Sequence, residues 1–310
     1  MNICRYSLLV TAQRGVTKME VTVKVPGSCG ELVQGVIDGI NLHITCPIDL
    51  YSYVTVRVEQ SFKGIRSKQA GNKAITALKE TLTYFGYDSG AEITIRSKLV
   101  KGKGMGSSTA DIAATIIATT LAIGKAVNTE LIKEIALKIE PTDGLFLAGI
   151  VAFDHLEGKR SIKLGEIDPI PILIFDIGGE VDTLSFNSRS DLASLNLLRE
   201  QEVKRAYKLV AEGIKRGDRR LIAKGATLSS LSNQIVLFKP YLKELLELAE
   251  EKETILGLNI AHSGTLIGVI LDNQKDSVEV LTEIKAEVPE LNYLLTSQII
   301  NGGYQILTEG

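Results

Sequence analysis

The chain has 310 residues, 45% hydrophobic and 23% charged: enough for one large domain or two mid-sized ones, and too balanced for disorder. A formal net charge of −2 gives no electrostatic case for nucleic acid or an anionic membrane, which leaves a small molecule or another protein as partner. Three scattered cysteines (Cys4, Cys29, Cys46) exclude a disulfide framework, and with His43, His155 and His262 far apart in the sequence no His/Cys metal cluster is expected.

Reduced thiols suit a cytoplasmic protein. The first 18 residues, opening MNICRYSLLVTAQRG, carry a short apolar patch without a secretory h-region or cleavage site, and read as an N-terminal extension. No run reaches the ~18 apolar residues of a membrane span; Ile112–Ile123 is shorter and holds three threonines.

In chain order, Val21–Val25 (VTVKV) alternates as a strand and meets PGSCG, read as a tight turn. Tyr53–Glu59 alternates likewise. From Asn72 the period changes: Ile75, Leu78, Leu82 and Phe85 share a helical face and Gly86 stops it. Ala91–Ser97 is a strand that leads through KGKGMGSS into a helix over Thr109–Ile123, apolar nearly all round and so central to a core. A helix over Thr129–Lys138 follows, with Asn128 as its cap, then the turn EPTDG.

The second half opens with a linker and a buried strand at Ile172–Asp176. A charged helix spans about Ser190–Arg216, with further helices near Arg219–Leu231 and Tyr241–Glu251. TLIGVIL is a strand, Ser277–Ala286 a helix and YQILT the last strand. The mixture lacks strict βαβα order, so an α+β chain with two lobes is expected, not a doubly wound sheet.

The stretch from Lys101 to Asp111 places Gly102, Gly104 and Gly106 at alternating positions ahead of a helix. Glycines let backbone N–H groups turn inward and approach a phosphate, and the helix adds its positive dipole end. Ser107 and Ser108 add hydroxyls, while Lys101 and Lys103 could offset phosphate charge. The alternative is a plain glycine turn with Ser107 or Ser108 capping the helix. GxxxxGK[ST] is absent, the GxGxG spacing misses the dinucleotide fingerprint, and no protein-kinase signature occurs. In EPTDG, Pro141 bends the chain between Glu140 and Asp143. Two carboxylates on one turn could divide cation binding from proton acceptance, or could simply end a helix and begin a turn.

Three segments taken in order carry a resemblance. KGKGMGSSTAD resembles the phosphate-binding motif of the GHMP kinases (galactokinase, homoserine, mevalonate and phosphomevalonate kinases). KVPGSCGELVQG (Lys24–Gly35) resembles their first motif, and NIAHSGTLIGVIL (Asn259–Leu271) sits where their third is expected. PGSCGELVQG, GKGMGSSTADIAAT, EPTDGLFLAG with FDH, and AHSGTLIG are most similar to the L-threonine kinase branch. The resemblance departs from the family where Ser28 stands in place of a lysine, where no proline leads into the middle motif, and where the third motif keeps only Ser263 and Gly264.

The resemblance implies the two-lobed GHMP kinase fold, with a ribosomal protein S5 domain 2-like part over residues 19–165 and a ferredoxin-like part over 166–310. It implies ATP and Mg²⁺, with a nucleotide held by Lys101, Lys103, Gly104, Met105, Gly106, Ser107, Ser108 and Thr109. Ser108 and Glu140 would hold the metal, and Asp143 would orient or deprotonate the attacking hydroxyl. Ser28, Glu31, Gln34 and Ser263 would face the substrate, Glu31 against an ammonium group. The implied product is O-phospho-L-threonine, for the aminopropanol arm of cobalamin. Homoserine kinase and a non-catalytic ligand-binding regulator on the same fold are the alternatives. Cys29 reads as packed, and His155 and His262 as structural, although the TDG and FDH stretches could meet in the fold. The expected partner is a small amino acid, with no nucleic acid or membrane; a homodimer is compatible with the sequence and not dictated by it.

Overall fold

The alternation at Val21–Val25 does begin a strand, but the strand does not stop at the Pro-Gly that follows. In the computed structural model, which describes residues 19–59, 61–88, 90–179 and 189–307, β1 runs through Met19–Ile37. The tight turn expected at PGSCG is instead a bulged stretch of this strand, with register shifts at Pro26/Gly27, Ser28/Glu31 and Glu31/Val33. A bulge bends a strand and re-aims its side chains without ending it. The N-terminal extension read over residues 1–18 lies outside the described residues.

β1 turns at Asp38-Gly39, both at positive φ (51° and 75°), into β2 (Ile40–Glu59). Two left-handed residues match the twist of a two-residue hairpin, for which Asp-Gly is a favoured pair. β4 (Gly90–Ser97) pairs antiparallel with β2, β3 (Ile65–Lys68) runs parallel along β4, and the final β11 (Gln305–Leu307) borders β1. Helices α1 (Asn72–Tyr84), α2 (Ser107–Ala122) and α3 (Thr129–Ile139) pack together, and α2 lies against β1 and β2. Asn128 caps α3 by accepting from the Glu130 N–H. β5 (Ile150–Asp154) pairs with β2 near the hairpin and with β6 (Ser161–Gly165).

Between β6 and β11 the chain follows a βαββαβ order in which three helices fill the first crossover. It comprises β7 (Ile170–Asp176), α4 (Leu192–Arg216), α5 (Arg219–Ser232), α6 (Leu242–Glu251), β8 (Ile255–Ile260), β9 (Leu266–Leu271), α7 (Ser277–Glu287) and β10 (Asn292–Ile299). The strands lie in the order β8-β9-β7-β10, all antiparallel, which is a ferredoxin-like sheet. Leu245, Leu248 and Ile284 of α6 and α7 bury against Leu173, Phe175 and Val269 on one face of it. Ile172 and Ile174, on alternate positions of β7, turn the other way into a core shared with β1, β2, α4 and α5.

Among the described residues the strands form one continuous sheet, whose two halves are joined by two single-residue pairings. The bulge of β1 reaches β8 through Glu31 opposite Ile260, and β10 reaches β2 through Ile299 opposite Ile48. Asn259, fully buried, spans the first seam by donating from Nδ2 to the Cys29 carbonyl. Asn259→Ala leaves that carbonyl without its partner in a dry place. A loss of ~1–3 kcal/mol is therefore expected in urea unfolding; unchanged stability would show that the seam closes without it.

Candidate active site

The bulge in β1, the glycine loop, the EPTDG turn and the end of β8 meet where the two halves of the sheet join. Gly102, Gly104 and Gly106 all adopt positive φ (74°, 95° and 60°), conformations that side chains resist. The loop is clamped by backbone: the Ser28 N–H donates to the Met105 carbonyl at 2.9 Å, and the Thr265 N–H to the Lys103 carbonyl at 2.9 Å. A Cβ on Gly264 would fall 2.3 Å from the Lys103 oxygen, so the third motif keeps its glycine to let the two loops touch.

Gly106 is the residue before α2, and no side chain caps the helix. The alternative in which Ser107 or Ser108 serves as the cap therefore does not hold. The Ser108 hydroxyl donates instead to Glu140 Oε1, while Lys73 Nζ donates to Glu140 Oε2. Ser107, Ser108 and Thr109, the first residues of this uncapped helix, line a cavity of ≈ 130 Å³, the local chemistry of an anion site. An alcohol and a carboxylate on one side of it fit a hard oxygen-seeking cation such as Mg²⁺.

Asp143 lines the same cavity and keeps 23% of its side chain exposed. Thr109, one turn into α2, accepts the Asp143 N–H at 3.3 Å and so holds the turn against the helix. The TDG and FDH stretches do meet: the Thr142 N–H donates to the His155 carbonyl at 3.0 Å. Burial raises the Asp143 carboxyl above its ordinary range, with His155 pulling the other way. Glu31 is buried too, its Oε2 has no hydrogen-bond partner, and burial reinforced by the Asp143 charge pushes its carboxyl well up.

Ser107, Ser108, Thr109, Gly104, Met105, Gly106, Glu31, Glu140, Asp143 and Ser263 therefore share one cavity wall. The other expected residues sit elsewhere. Lys103 turns to β7, where Nζ meets Asp176 at 3.0 Å and donates to the Gly179 carbonyl at 2.6 Å. Lys101 is exposed and does not line the cavity. Ser28 lies beneath the loop and donates to the Gly104 carbonyl at 3.3 Å. Gln34 is wholly buried, donating from Nε2 to the Ile260 carbonyl at 3.2 Å. Cys29 is packed, and burial pushes its thiol up.

The expectation that the three histidines stay apart is wrong. The His43 and His155 rings stack with centroids 3.7 Å apart, and His262 meets His43 edge-on at 4.5 Å. Strand pairing does this: His43 on β2 sits beside the end of β5, and His262 follows β8 directly. Burial holds all three imidazoles below their ordinary range. His43 Nδ1 therefore faces Asp143 at 3.6 Å as a neutral ring, not as an ion-pair partner.

Two cations escaped the sequence reading because nothing around them marks them. Arg199 on α4 is 3% exposed and is pushed down to about 10 by burial; its Nη2 has no hydrogen-bond partner. Lys239, 1% exposed and lowered to about 8 by burial, donates to the Gly264 carbonyl. Both lie close enough to depress His262 further. A larger concavity of ≈ 1160 Å³ on the outer face of β1, β2 and β4 carries neither a glycine loop nor a carboxylate pair on one turn. Among the described residues no helix is long and apolar enough to cross a membrane.

Two family models match the chain: GHMP kinases N terminal domain over residues 72–149 and GHMP kinases C terminal over residues 210–290. An L-threonine kinase of Salmonella typhimurium is 31% identical over 254 residues, 82% of this chain and 83% of that protein. An L-threonine kinase of Citrobacter freundii is 29% identical over 288 residues, 91% and 98% of the two chains. The crystal structure of homoserine kinase from Cytophaga hutchinsonii superposes with a TM-score of 0.72 at 16% identity, covering 96% of this chain and all of that one.

Proposed function

The chain belongs to the GHMP kinase family, and from that premise we propose that it transfers the γ-phosphoryl group of ATP to the side-chain hydroxyl of L-threonine. The observation that carries this reading is the gathering of uncapped helix amides, the Ser108–Glu140 pair and Asp143 around one cavity. Phosphoryl transfer asks for little more: a cradle, a cation and a group that places the hydroxyl.

In this reading the α2 N-terminus and the turned-in amides of Gly104 to Ser107 meet the phosphate oxygens, where their dipoles need no reorganisation as charge spreads. Ser108 and Glu140 would hold Mg²⁺, which would supply charge neutralisation at the phosphates. Asp143 accepts the proton of the attacking hydroxyl at a carboxylate oxygen, and the Thr109 contact to its backbone keeps it aimed. Glu31, a buried carboxylate without a cation, suits the α-ammonium of an amino acid. L-Threonine is preferred as acceptor because both curated relatives bear that name. The proposed product is O-phospho-L-threonine, with the aminopropanol arm of cobalamin as its proposed destination.

An acceptor panel tests the choice. Specificity constants are compared for L-threonine, L-serine, L-homoserine and mevalonate with Mg·ATP, each product being identified by mass. L-Threonine is expected to lead. A lead for L-homoserine or mevalonate would keep the phosphoryl chemistry and discard the proposed acceptor.

A further inference from the structure

His43, His155 and His262 stand more than a hundred residues from one another in sequence, yet each offers a ring nitrogen within 4.8 Å of the other two. Nothing in the phosphoryl-transfer account uses them. His43 is 2% exposed, and neither of its ring nitrogens has a hydrogen-bond partner. Leaving such groups dry and unmade is costly, so a buried imidazole in this state points to a ligand.

His155 has a fixed orientation. Its Nδ1 lies 3.1 Å from the Asn41 carbonyl. A carbonyl can only accept, so Nδ1 carries the proton and Nε2 the lone pair. That backbone contact is the kind that orients metal-ligating imidazoles and raises their basicity. The rings are also held neutral by burial, the form in which imidazole binds a metal. Glu31 and Asp143 offer carboxyl oxygens within the same 4.8 Å limit of His43 and would offset a double positive charge on that side. Arg199 and Lys239 are the cations that act on His262.

We propose that His43, His155 and His262 form a binding site for a transition-metal dication of the zinc class, in the same cavity as the Ser108–Glu140 pair but built from different ligands. Three imidazoles favour a borderline metal, whereas the alcohol and carboxylate favour a hard one. Zinc holds nitrogen at about 2.0–2.1 Å in a tetrahedron, which sets neighbouring ligand atoms roughly 3.3 Å apart. The trio therefore closes on binding, and the His43 ring swings out of its stack on His155, because parallel rings cannot both aim in-plane lone pairs at one ion.

The test uses the untagged full chain, stripped with a chelator and titrated with Co²⁺ under a large excess of Mg²⁺, read by the visible ligand-field bands of cobalt. It needs neither nucleotide nor acceptor, so its failure would leave the kinase reading standing. One ion for each chain with intense low-coordinate bands, displaced by Zn²⁺ and not by Mg²⁺, is the expected result. His262→Asn and His155→Asn should each weaken Co²⁺ binding by at least ~100-fold, the upper end of what loss of an outer-shell partner causes. Ser108→Ala should leave it within a few-fold. Should a histidine variant fail to fold, the Zn²⁺ and Mg²⁺ competition on the parent chain decides alone. No bands, bands abolished by Mg²⁺, or affinity unchanged in both folded histidine variants would overturn the site.

Discussion

Asp143→Asn is expected to bind nucleotide within a few-fold of the parent while turnover falls by ~10²-fold or more, the range a positioned proton acceptor contributes. The side chain keeps its shape and its backbone contact to Thr109, so the cavity should survive. What is lost is the negative charge that draws the proton from the hydroxyl. The parent should show the matching pH signature. Burial raises the Asp143 carboxyl above 3.8, so as pH falls the carboxylate is protonated earlier than an exposed one. The acid limb of kcat should therefore have its midpoint above the usual carboxylate range. Stopped-flow or coupled ADP release across pH measures both effects. Parent-like turnover in Asp143→Asn would remove this residue from the mechanism.

Glu140→Gln carries the second large effect. Glu140 collects the Ser108 hydroxyl on one oxygen and Lys73 on the other, and its side chain is only 11% exposed. An amide in its place keeps an oxygen for Ser108 and removes the charge a hard cation requires. The Mg²⁺ concentration for half-maximal turnover should rise at least ~10-fold. Lys73, 53% exposed, loses a partner that solvent can replace, so folding should be little affected. A Glu140→Gln enzyme with an unaltered Mg²⁺ requirement would assign Glu140 to the structural pairing with Lys73 alone.

The parts of the site that are continuous in sequence were legible. KGKGMGSS announced a phosphate loop because glycine spacing and a helix start are local features, and EPTDG announced two carboxylates on a bend for the same reason. The α1 helix followed from apolar spacing, α3 was marked by its Asn128 cap, and α4 by its long charged run. What failed was non-local. Pro26-Gly27 looks like a turn on its own; only pairing with β2 and contact with the glycine loop keep it a bulged strand. β8 and β5, buried along nearly every residue, lack the alternation that exposes a strand to inspection. The histidine trio could not be foreseen, because three strand pairings bring it together. Arg199 looks like one more charge on a charged helix until α4 is packed against β1.

The central claim is that the γ-phosphoryl group ends on the acceptor's side-chain oxygen. ATP labelled in that group, incubated with Mg²⁺, L-threonine and the enzyme, tests it in a single separation. The account predicts label in O-phospho-L-threonine, one for each ADP formed. Label recovered only as inorganic phosphate, or left in ATP despite measurable binding, would contradict it.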